Sequence, residues 1–245
     1  MKKLFYHNEV LFAVLMIIIY VVGFSNADIL SESIGMEKSV TAAFGLVLSA
    51  ALLVFIHKNS LYRHTGLCAF RGNIKKYLYV IPLLAMSSVN LINGFQMNLS
   101  VSASVFMVVS MIFVGFLEEI IFRGFLFRAM AKDNLKIAVV VSSVTFGIGH
   151  IVNLLLGEPV LGTLLQVVYA SAIGFLYTAI FLTGKSLIPC ILSHAFINAT
   201  STFARPMTDT ADVIVAVLET VLSACYGAWL LMGMRAEGAS QEDIQ

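Results

Sequence analysis

The chain has 245 residues, of which 59% are hydrophobic and 12% charged, with a mean hydropathy of +0.93 and a formal net charge of +1. A soluble domain of this length carries about 25% charged residues, so the composition excludes one and indicates an all-α, polytopic membrane bundle. Cys68, Cys190 and Cys225 show no C-x-x-C spacing and make no disulfide framework, and no nucleic-acid motif is present.

Eight apolar segments follow one another, over residues 10–24, 40–57, 77–97, 101–130, 137–156, 159–183, 186–204 and 212–234. The first follows Lys2 and Lys3 and ends near Ser25-Asn26-Ala27, a pattern shared with signal peptides. An uncleaved first helix is the expectation, because its removal would leave an odd number of spans. The connection from His57 to Lys76 is basic and aromatic. It reads as a topology determinant and could rest on anionic headgroups of the lipid bilayer. Asn90, Asn93 and Gln96 interrupt the third segment.

The fourth segment contains FVGFLEEIIFRGFLFR, residues 113–128. An ionisable side chain near the centre of a membrane helix costs roughly 2.5–3.5 kcal/mol on insertion scales. A charged helix end snorkelling to the interface accounts for Arg123 and Arg128. Two adjacent acids on short stems are not explained that way. On a helix, Glu119 and Arg123 share a face one turn apart, acid before base. Glu118 is turned from Glu119 by about 100° and is left free for chemistry.

The fifth segment holds SSVTFGIGH, residues 142–150. His150 lies deep in it, and Gly147 and Gly149 remove bulk so that a neighbour or a substrate can approach. The seventh holds SLIPCILSHAFINA, with Pro189 in a tolerated first-turn position and His194 and Asn198 on one face. Each cluster alone reads as polar glue between helices. Three together, all at membrane depth, point to function. Counted at about 1.5 Å per residue from the cytoplasmic ends, Glu118 and His194 lie roughly 12–15 Å deep and His150 roughly 20 Å. A shared cavity opening toward the cytoplasm is expected. The eighth segment carries Glu219, read as structural or on a substrate path, and Trp229 near its exit.

Loop charges orient the bundle. With the N-terminus cytoplasmic, thirteen of the fifteen basic residues fall in the inner connections, and only Lys38 and Arg205 fall outside. The outer connections hold Asp28, Glu32, Glu37, Glu158, Asp209 and Asp212. Eight spans with both termini inside satisfy the positive-inside rule. The whole chain, 1–245, reads as one integral membrane domain.

A buried carboxylate, two histidines and an asparagine suit hydrolysis of an amide by activated water, with no covalent nucleophile. A glutamate and two histidines are also a zinc ligand set with an open position, so Glu118, His150 and His194 are the metal candidates. A proton-coupled carrier is the competing reading, with Asn90, Asn93, Gln96, Gln166 and Glu219 along a polar route. It lacks a detectable repeat or a pair of broken helices.

The three motifs, in order, resemble those of the CPBP intramembrane proteases, which include type II CAAX prenyl endopeptidases and bacterial Abi or bacteriocin-processing proteins. EEIIFRG at 118–124 is similar to E-E-x-x-x-R, FGIGH at 146–150 to F-x-x-x-H, and HAFIN at 194–198 to H-x-x-x-N. The likeness covers about residues 110–200, the catalytic core, and implies an eight-helix fold. It implies Glu118 as catalytic base, Glu119 and Arg123 as its supporting pair, and His150 as a group that positions or activates water. It implies His194 and Asn198 as stabilisers of the oxyanion. It also implies a peptide or protein substrate at the membrane, such as a prenylated C-terminus or a leader peptide. A bacterial cell membrane is the expected location. Metal dependence is left open by the residues: no obligatory cofactor is expected, with zinc as the alternative. A non-catalytic immunity protein on the same fold is a further alternative, opposed by the intact motifs.

Overall fold

A computed structural model describes residues 1–70 and 81–236. The expectations for Arg71, Lys75, Lys76 and the polar tail after Ala236 lie outside the described residues. The described chain is helical, with one isolated β-bridge between Phe95 and Ala204.

Short polar caps start the helices at the sequence breaks. A brief α1 (Lys2–His7) leads into α2 (Glu9–Ser33), where the Asn8 side chain accepts from Leu11 N at 2.8 Å. The Ser25-Asn26-Ala27 stretch lies inside α2. Next comes α3 (Ser39–Lys58), which places His57 and Lys58 in its last turn, where the helix dipole favours cations. After α4 (Ile81–Ser87) and a 3₁₀ turn at Val89–Leu91, Ser100 caps α5 (Val101–Glu118). A π-helix, Glu119–Phe127, and α6 (Arg128–Ala131) continue α5. Asn134 caps α7 (Leu135–Gly149), which tightens into a 3₁₀ helix at His150–Leu156. The remaining helices are α8 (Val160–Gly184), α9 (Ile188–Ser201) and α10 (Asp209–Ala236). Pro189 sits in the first turn of α9, where its missing N–H costs no helical bond.

Among the described residues, six helices are long and apolar enough to cross a membrane: Glu9–Ser33, Ser39–Lys58, Val101–Ala131, Leu135–Leu156, Val160–Gly184 and Asp209–Met234. Among the described residues, which resume at Ile81, the third apolar segment is helical over Ile81–Leu91, and the seventh forms a shorter helix, Ile188–Ser201. Their outer ends are stapled together. Asn90 donates to Ile197 O at 2.8 Å, Asn93 donates to Pro206 O at 2.8 Å, and Gln96 N donates to Phe203 O at 2.8 Å. Asn90 and Asn93, read above as a polar route, therefore satisfy backbone carbonyls that lipid would leave bare.

Within the bundle α8 packs between α7 and α10, and α5 packs between α3 and α9. Large apolar side chains such as Val47, Leu84, Leu164 and Val221 face outward, as lipid contact requires. One end of the bundle is sealed by aromatic rings. Phe5, Phe12, Phe55 and Phe125 meet at centroid distances of 5.1–6.3 Å, from α1, α2, α3 and the π-helix. This is the end assigned to the cytoplasm by charge. Arg123, counted above with the inner connections, is instead fully buried in the bundle.

Candidate active site

The site is built on the change of winding in the fourth segment. At Glu119 the α-helix gives way to nine residues of π-helix, all of them buried. Such wider turns are rare and are frequently found at functional sites. Ser142 of α7 supports the turn by donating to Phe122 O at 3.0 Å. Arg123 Nη1 lies 3.0 Å from Glu119 Oε1, and both side chains are wholly buried. The guanidinium sits 4.2 Å from the Phe146 ring centre and 5.7 Å from that of Tyr177. A desolvated cation over an aromatic face is worth about 2 kcal/mol. Gly174 of α8 makes this seat, since a Cβ there would lie 2.8 Å from Arg123 Nη2.

Close packing brings α9 to the same place. At Gly115 a Cβ would lie 2.6 Å from the backbone nitrogen of Ala195, so α5 and α9 touch through their backbones. His194 is thereby pressed between the two acids. Its Nδ1 is 3.0 Å from Glu119 Oε1 and its Nε2 is 3.2 Å from Glu118 Oε2. The second contact lacks hydrogen-bond alignment, and among the described residues Glu118 Oε2 has no hydrogen-bond partner. Sequence spacing turned Glu118 from Glu119 by about 100° and did not connect either acid to His194. Instead, one imidazole spans both carboxylates, because the neighbouring acids straddle the helix packed against them.

Tyr20 of α2 was missed by sequence reasoning. Its hydroxyl donates to Glu118 Oε1 at 2.6 Å. The available signal was weak: one phenol in the middle of an otherwise aliphatic run. Glu118 is thus held on one oxygen and open on the other.

His150 and Asn198 complete the group. The Phe146 ring packs edgewise against both histidines, at 5.5 Å from His150 and 5.6 Å from His194. No side-chain hydrogen bond ties His150 or Asn198 to the described protein, and both line the cavity that holds Glu118. Gly147 gives α8 close approach at Ser171, whereas Gly149 faces open space. The cavity has a volume of about 700 Å³. A smaller one of about 290 Å³ shares His150 and Asn198 and adds His194 and Glu219.

The cavity lies toward the end of the bundle that carries the α2–α3 and α7–α8 connections. From Glu118 it runs past Tyr20 and Asn153 to Asp28, Lys38 and Glu158, which belong to the α2–α3 and α7–α8 connections. Those are the acidic connections that the loop charges place outside.

Zinc would need nitrogen and oxygen ligands converging at about 2.0–2.2 Å. Among the described residues no three His, Cys, Asp or Glu side chains form such a group. His194 Nε2 and Glu118 Oε2, 3.2 Å apart with Nδ1 on Glu119, are spaced as two ligands would be, and among the described residues no third such side chain joins them.

The described set is a buried acid with one open oxygen, an imidazole anchored by a second acid, and two free polar groups at the wall of a cavity. No curated protein matches the chain. Residues 100–200 match the family model described as type II CAAX prenyl endopeptidase Rce1-like. Over that segment, which carries Glu118, Glu119, Arg123, His150, His194 and Asn198, the chain belongs to the Rce1-like family of membrane-embedded CAAX-type endopeptidases.

Proposed function

We propose that this intramembrane endopeptidase cuts a peptide bond with water activated by Glu118 and His150, with no obligatory metal. The observation that carries the reading is Glu118 itself: Oε1 is fixed by Tyr20, and Oε2, 3.2 Å from His194 Nε2, is buried at the cavity with no hydrogen-bond partner among the described residues. Glu118 Oε2 takes a proton from water as the oxygen attacks the carbonyl carbon. The carbonyl π electrons move to oxygen. Asn198, on the wall of the adjoining cavity, donates a hydrogen bond to the oxyanion, and His194 donates from Nε2 in its doubly protonated form, since its Nδ1–H is already given to Glu119. When the tetrahedral carbon collapses, the C–N bond breaks and the amine leaves with the proton held by Glu118. Glu119, fixed by Arg123, holds His194 by Nδ1 so that Nε2 stays at the reacting end.

The bundle is proposed to count eight membrane segments, with α4 and α9 as its two short members, and to keep both termini in the cytoplasm of a bacterial cell. The loop charges support this orientation. The substrate is a peptide or protein at the membrane, a prenylated C-terminus or a leader peptide being the two family-like classes.

The test is peptide hydrolysis by the purified full chain. Glu118→Gln should abolish turnover without loss of folding, because an amide cannot take the water proton. Equal turnover by the two proteins would end the general-base assignment.

A further inference from the structure

We propose that the catalytic cavity is filled from the extracytoplasmic face, so that the substrate is a polypeptide segment presented on the outer side of the membrane. A prenylated C-terminus arriving from the cytoplasm would meet the closed end. The proposal deepens the endopeptidase reading and rests on it and on cytoplasmic termini.

Three observations converge. First, among the described residues the wall of the larger cavity leads from Glu118 to Asp28, Lys38 and Glu158. Asp28 and Lys38 pair at 2.8 Å across the α2–α3 connection, and Glu158 is exposed beyond α7. Second, the adjoining cavity reaches Met207, in the connection to α10, and Asp212, in the first turn of α10 at the same end. Third, among the described residues the opposite end is packed with aromatic rings. Phe5, Phe12, Phe55 and Phe125 pack edge to face or stacked beneath the π-helix, each at most 6% exposed. Opening that end would separate four rings from one another, and aromatic pairs contribute beyond their buried area.

Charge then assigns sides to the ends. The sealed end carries Lys2, Lys3, Lys58, Lys132 and Lys185, and the open end carries acids with only Lys38 and Arg205. By the positive-inside rule the sealed end is cytoplasmic and the mouth is external. A protein whose reacting water enters from outside meets secreted or translocated chains, and the outer ends of other membrane proteins. It does not meet cytoplasmic termini.

The experiment is cysteine labelling of the full chain in intact bacteria. Cys68 and Cys225 are replaced by serine, Cys190 is kept because it is fully buried, and single cysteines are introduced. Ser25→Cys and Met111→Cys line the cavity, and Lys58→Cys marks the sealed end. A membrane-impermeant maleimide is added to intact cells and, separately, to inverted vesicles. The expected result is labelling at Ser25→Cys and Met111→Cys in cells, and at Lys58→Cys only in inverted vesicles. Cavity cysteines labelled only in inverted vesicles, or from neither side, overturn the proposal. Labelling of Lys58→Cys in intact cells overturns it through the topology. Labelling needs no turnover, so a protein that labels as expected but hydrolyses no peptide counts against the endopeptidase roles and not against the access route.

Discussion

The hydroxyl of Tyr20 donates a 2.6 Å hydrogen bond to Glu118 Oε1 across 98 residues of chain. This bond ties the first long helix to the carboxylate of the fourth segment, and it orients the open oxygen toward the cavity. A hydrogen bond to a charged acceptor is worth about 1.5–3 kcal/mol. Tyr20→Phe should lower kcat by roughly ten- to a hundredfold if most of that is felt in the transition state. The thermal midpoint should change little. Unchanged kcat would mean that Glu118 is held by other means.

Arg123→Ala leaves Glu119 buried beside His194 without its cation. Breaking a buried pair costs about 3–5 kcal/mol, so the solubilised protein should unfold at a markedly lower temperature as well as lose activity. Arg123→Lys should not restore either property fully, because the flat guanidinium stacks on Phe146 and an ammonium cannot. Full rescue by lysine would show that charge alone is required.

Gly115→Val tests the contact that sets the His194 position. The added side chain meets the α9 backbone at Ala195, where no rotamer change can give way. Overpacking of this kind costs roughly 1–3 kcal/mol. Activity should fall further than stability does, since a shift of α9 separates His194 from both glutamates. A variant with lowered thermal stability and undiminished turnover would show that the approach serves packing only.

His64 gives the protein an acid-sensitive inner end. It packs edgewise on Phe5 at 5.6 Å. Burial, aided by Arg128 and Lys132 and opposed by Glu9, lowers its pKa from 6.5 to about 4. The folded protein therefore binds this proton less readily than the unfolded chain. Its contribution is fully present above pH 6.5 and is lost as pH falls through the window down to about 4, where the loss is complete. The total is on the order of 3 kcal/mol. Unfolding midpoints measured between pH 7.5 and pH 4 should fall more steeply for wild type than for His64→Phe. Parallel curves would rule the histidine out as the cause.

Elemental analysis of active, purified protein should find zinc well below one per chain, and chelators should leave turnover intact. Stoichiometric zinc, lost from His150→Ala and His194→Ala together with activity, would overturn the metal-free mechanism.

Sequence alone determined the class of this protein and the identity of its polar groups. An ionisable residue in lipid is costly enough that E-E-x-x-x-R, F-x-x-x-H and H-x-x-x-N stand out against an apolar background. Local spacing also fixed the Glu119–Arg123 pair, since residues four apart on a helix share a face whatever surrounds them. Tertiary structure decided the rest. That Tyr20 reaches Glu118, and that one imidazole touches both acids, depends on how closely α2 and α9 approach α5, and helix approach is set by small residues such as Gly115 rather than by the polar residues themselves. The direction of the cavity depends on where rings fill space, and Phe5, Phe12, Phe55 and Phe125 look in sequence like any other lipid-facing phenylalanines. Only their meeting in space closes one end of the bundle and leaves the other open.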